Sequence, residues 1–127
     1  MLKECLEKRK RVLGPDHPDT LDTMNDLACN FNDQGRCNEA EEMLKECLEE
    51  RKRLLGSDHP DFLDTMKNLA DSYNHQGKYN EAEVLYKECL ESYNRVLGPD
   101  HPDTLKTMNN LANNYNDQGK YKEAAEM

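Results

Sequence analysis

Leu55-Gly56-Ser57-Asp58-His59-Pro60-Asp61 is the stretch whose reading decides the fold of this chain. It has two near copies, Leu13-Gly14-Pro15-Asp16-His17-Pro18-Asp19 and Leu97-Gly98-Pro99-Asp100-His101-Pro102-Asp103. Gly14, Gly56 and Gly98 stand 42 residues apart, and the text between them recurs at the same spacing. His17 to Asp58 matches His59 to Asp100 at 25 of 42 positions. Self-similarity at a fixed period on this scale marks a repeat array, in which each unit packs on its neighbours.

Each copy of the heptapeptide reads as a device that stops one helix and starts another. Basic residues (Lys8 to Arg11 in the first copy) precede the glycine, as the negative end of a helix dipole prefers, and a glycine just past that end supplies the left-handed cap. Pro15 reinforces the stop. Asp16 then offers an N-cap oxygen, Pro18 fits the first helical turn, and Asp19 suits the dipole there. The histidines at 17, 59 and 101 read as structural parts of this device. They lie one period apart and do not converge on one metal or substrate.

Outward from the linker, apolar residues fall at helical spacing. Leu21, Met24, Leu27, Ala28 and Phe31 stripe a helix A from about Pro18 to Gln34, ended by Gly35. Ala40, Met43, Leu44, Cys47 and Leu48 stripe a helix B from about Asn38 to Leu54, with Asn38 as its expected cap. The second unit repeats both helices, from about Pro60 to Gln76 and from about Asn80 to Val96. The expected organisation is one array: 1–13 as a helix B, 17–55 and 59–97 as repeats, and 101–127 as a helix A with the first turn of a helix B.

Hydrophobic residues make up 35% of the 127-residue chain and charged residues 34%. That suits stacked amphipathic helices, each burying one stripe. A formal net charge of −9 opposes a phosphate-binding surface and anionic lipid, so neither nucleic acid nor membrane is an expected partner. No apolar run approaches the length of a membrane span and no signal peptide is visible. The expected location is the cytoplasm. Five cysteines without a Cys-x-x-Cys pair fit small buried side chains in a reducing compartment. No cofactor is expected. Neither a catalytic triad, a phosphate loop nor metal-ligand spacing appears, and the chain does not read as an enzyme.

Leu27-Ala28, Phe31, Gly35, Ala40, Leu44 and Cys47 resemble the tetratricopeptide repeat signature. The same slots hold Leu69-Ala70, Tyr73, Gly77, Tyr79, Ala82, Tyr86 and Cys89. Ordinary repeats of this family are about 34 residues long. The longer period and the Leu-Gly-x-Asp-His-Pro-Asp linker resemble the kinesin light chain-like subtype. The resemblance implies an all-α, right-handed α-solenoid of antiparallel hairpins. It also implies a non-enzymatic scaffold whose A helices line a concave groove for a peptide or protein segment.

Carried over position by position, the groove residues are Asn25, Asp26, Cys29 and Asn32, then Lys67, Asn68, Asp71 and His75, then Asn109, Asn110 and Asn113. Asparagine is a poor helix former, so its clustering on one face suggests amides offered to a peptide backbone, against the alternative of a merely polar face. The implied partner is neutral or basic. A second expectation comes from the ends: a helix B without its A, and a helix A without its B, allow one molecule to receive the next head to tail.

Overall fold

The computed structural model describes residues 2–14 and 17–119. Six helices follow one another: α1 (Leu2–Leu13), α2 (Pro18–Asp33), α3 (Cys37–Leu55), α4 (Pro60–His75), α5 (Tyr79–Leu97) and α6 (Pro102–Asp117). No strand occurs among the described residues. The helix B turn expected at 123–127 lies outside them. Each helix packs on the next in the chain, α2 also meets α4, and α4 meets α6. This is a solenoid: the A helices α2, α4 and α6 form one layer, and α1, α3 and α5 back it.

The linker works as a stop and restart, but a different atom does the capping. His17, His59 and His101 are the N-caps, and each Nδ1 accepts the backbone N–H of the residue two on, Asp19, Asp61 or Asp103, at 3.1, 3.0 and 3.1 Å. The expectation that the preceding aspartate caps is corrected at the described positions: Asp58 instead pairs with Arg95 on α5. The prolines at the start of α2, α4 and α6 fit because no N–H is needed there. At the other side of the linker, Gly56 ends α3 with φ 88° and ψ 169°, a conformation open essentially to glycine, and its N–H closes on Lys52 O at 2.9 Å. The B helices start one residue before the expected Asn38 and Asn80. Arg36 and Lys78 hold the N-cap positions without a side-chain cap bond.

Within the first hairpin, Leu21, Met24 and Ala28 of α2 pack with Ala40, Leu44 and Cys47 of α3. The small residues let the helices approach, and the Cys47 thiol donates to Leu21 O at 3.5 Å. Cys89 repeats that bond to Leu63 O at 3.3 Å. Cys29, Cys37, Cys47 and Cys89 are free thiols.

Of the seams that join successive hairpins, two run from a basic side chain of a B helix to the next A helix. Arg51, only 4% exposed, reaches from α3 to Asp61 O (3.1 Å) and Thr65 Oγ1 (2.9 Å) on α4, and pairs with Asp22 on α2. Arg9 makes the same two bonds one period earlier, to Asp19 O and Thr23 Oγ1. One period later the slot holds Tyr93, buried beside Phe62 and Met66. The second seam is aromatic. Lys3, Lys45 and Lys87 lie over the rings of Phe31, Tyr73 and Tyr115 at 5.6, 5.9 and 5.9 Å. In every case a cation of one unit covers a ring of the next.

Candidate functional site: the face of the A helices

Asparagine along α2, α4 and α6 has two different uses. Asn68 Nδ2 donates to Asn25 Oδ1 at 3.1 Å, and Asn25 Nδ2 to Asp64 Oδ2 at 3.4 Å. Asn25, Lys67 and Asn68 are buried. Ser72 Oγ donates to Asn32 Oδ1 at 2.8 Å, and the fully buried Asn114 donates to Asn74 Oδ1 at 2.8 Å. Asn74 in turn donates to Asp117 at 3.0 Å. The amide ladder expected to face a partner is therefore, at these positions, a seam holding one A helix against the next. Ser72 and Asn114, which take part in it, were not among the expected groove residues. They share a slot with Asn30, one residue past the slot of Cys29, Asp71 and Asn113, and that adjacency was the available signal.

The rest of the expected set stays accessible. Asp26, His75, Asn109 and Asn113 are exposed, and Cys29, Asp71 and Asn110 are half-buried; Asn32, half-buried as well, keeps only its amide N–H groups for the face, its oxygen being held by Ser72. Four of these converge. Asp71 and His75 of α4 with Asn110 and Asn113 of α6 line a pocket of about 240 Å³, completed by Asn74 and Tyr86. The Tyr86 hydroxyl donates to Asp71 Oδ1. A buried phenol needs such a partner.

The electrostatics of this face are negative. Burial is the largest influence on Asp71 and pushes its carboxyl above the ordinary range, while the Tyr86 hydroxyl, Lys67 and His75 draw it back. Burial also holds the Tyr86 hydroxyl in its protonated, donating form, with Asp71 adding to the effect. The Cys29 thiol is pushed up to about 11, first by burial and then by Asp64, with Lys67 opposing and Asp26 and Asp71 adding. Asp26, Asp64 and Asp71 thus surround Cys29 with Lys67 as the one cation among them. Among the described residues, no three His, Cys, Asp or Glu side chains gather as metal ligands, and no helix is long and apolar enough to cross a membrane.

Sequence profiles described as Tetratricopeptide repeat match residues 61–127, and also residues 1–19 and 20–61. The chain belongs to the tetratricopeptide repeat family. Among solved structures, it is similar to a Podosopora anserina protein of nearly identical TPR-like repeats, named for the kinesin light chain. The two share 28% identity over 98% of this chain and 59% of that one, with TM-scores of 0.81 for a single-substitution variant and 0.78 for its parent. BtubC (BKLC) from P. vanneervenii superposes with a TM-score of 0.86 at 22% identity, over 98% of this chain and 50% of that one, a likeness of fold. This tetratricopeptide chain therefore spans 59% and 50% of the lengths of those neighbours. No curated protein sequence matches it. Its repeats are kinesin light chain-like, and it is a repeat scaffold of the protein-interaction type.

Proposed function

We propose that the chain holds a neutral or basic polypeptide segment along the face formed by α2, α4 and α6, without catalysing a reaction. The observation that carries this reading is the division among the asparagines. One set is consumed between helices, while Asp71, His75, Asn110 and Asn113 open on a common pocket across two units. Asp26, Cys29, Asn32 and Asn109 extend the same face, and Asn25, Lys67 and Asn68 support it from beneath. The surplus of carboxylates favours a partner without acidic side chains. Free thiols at four described cysteines fit a reducing, cytoplasmic setting. The test is binding of labelled peptides by the wild type and by N110A/N113A, compared by anisotropy. Affinity falls while the helical signal stays; equal binding by both proteins refutes the reading.

A further inference from the structure

The pocket between α4 and α6 differs from the rest of the array in one respect. Asp71 and Tyr86 both depart from their counterparts in the first unit, Cys29 and Leu44, and the departures meet in one hydrogen bond. In the third unit the Asp71 slot holds Asn113. The carboxylate–phenol pair therefore occurs once, at a single point of a face otherwise built by repetition. We propose that this pocket receives one basic side chain of the bound segment, a guanidinium or an ammonium, with Asp71 as its counter-charge and the Asn110 and Asn113 carbonyls as further acceptors. This rests on the reading of the face as a polypeptide-binding surface and adds to it a position and a charge.

Size, charge and cost all support the assignment. A volume of about 240 Å³ lies below the range of roughly 300–1,000 Å³ typical of small-molecule sites, and suits one side chain. Tyr86 occupies Oδ1 of Asp71 and fixes the carboxylate, leaving its second oxygen to a ligand. Lys67 and His75 lie one turn to either side on α4 and act on Asp71 through their charge, without a hydrogen bond to it. Asn74 is committed to Asn114 and Asp117, whereas no described side chain engages Asn110 or Asn113. Holding Asp71 half-buried and charged works against folding, because burial raises its carboxyl. An Asn in that slot, as in the third unit, avoids the cost. A cation entering the pocket would turn the cost into affinity.

The test uses the whole chain and a degenerate peptide library with one fixed central position, offered to the wild type, to D71N and to Y86F. Asn stands in the equivalent slot of the third unit, so D71N is compatible with the fold, and its circular dichroism confirms that. The wild type should enrich Arg or Lys at one position. D71N should lose that enrichment and bind the selected basic peptide roughly ten- to a hundredfold more weakly. Y86F should bind it less weakly than D71N does. Replacing the selected Arg by citrulline, which keeps shape without charge, should reproduce the loss in the wild type. Enrichment of peptides without a basic preference, or an unchanged preference in D71N, overturns the pocket assignment and leaves the face reading intact. Retention of no peptide at all overturns both.

Discussion

Replacing Arg51 by Ala tests whether successive hairpins are joined by a few directional bonds or by general packing. The guanidinium makes two bonds to α4 and an ion pair to α2 while almost completely buried. Each hydrogen bond to a charged group contributes about 1.5–3 kcal/mol. The low end applies, because Thr65 Oγ1 already donates to Asp61 O at 3.1 Å and neither atom is orphaned by the loss. The ion pair adds under about 1 kcal/mol, since Asp22 is 58% exposed and regains water. The expected cost is therefore about 3 kcal/mol, read from urea unfolding followed by circular dichroism. Because repeat arrays are coupled mainly between neighbours, hydrogen exchange should also accelerate across α3 and α4 before α6. Lys52→Ala, on the exposed side of the same helix, is the control. If Arg51→Ala unfolds within about 0.5 kcal/mol of that control, the seam does not hold the units together and the reasoning is wrong. Tyr93 and Phe62 offer a further check, because they stand where Arg51 and Thr20 stand one period earlier and pack in one cluster. Arg51→Tyr alone should leave a void beside Thr20, and T20F/R51Y should recover at least half of the loss.

The remaining predictions concern the linker and the face. His59→Ala should cost about 1 kcal/mol by removing the acceptor of the Asp61 N–H, and His59→Asn should restore most of it, as urea midpoints would show. Gly56→Ala should cost about 1–3 kcal/mol from backbone strain alone, since a Cβ there meets nothing within 4 Å; a smaller loss by thermal unfolding means that the linker relaxes. Asp71 has a raised folded-state pKa, so its ionised form opposes folding above that pKa and the penalty disappears as acid protonates it. D71N should therefore be more stable than the wild type at pH 7, with the difference shrinking as pH falls through the raised value toward the ordinary carboxylate range. Cys29, pushed up to about 11, should react with iodoacetamide at pH 7.5 about two orders of magnitude more slowly than an ordinary exposed thiol, and a bound peptide should slow it further.

The architecture was legible because one period carried it. The apolar stripes, the proline at the start of each A helix and the glycine past each helix end agree with one another, so Pro18, Pro60 and Pro102 begin helices where expected. Which atom capped them was not legible. Aspartate is the commoner cap, and only the local backbone turns His59 Nδ1 toward the Asp61 N–H. The candidate face was half legible. Helical spacing puts Asn25, Asn68, Asn110 and Asn113 on the A helices, but whether an amide meets a neighbouring helix or solvent depends on how closely the layer packs. A single unit's text does not contain that distance. Arg51 was hidden for the same reason: at the basic end of α3 it reads as a dipole partner, and its burial arises only when α4 folds against it.

Both ends of α4 are fastened to α3. Near its start Thr65 takes a bond from Arg51 at 2.9 Å, and just past its end Gln76 donates to Glu41 Oε1 at 2.9 Å, with Lys45 over the Tyr73 ring between them. The two fastenings lie eleven residues apart, about 16 Å along the axis. A load along the array would therefore find no single hinge: each joint would give a little, and the array would yield as a spring does.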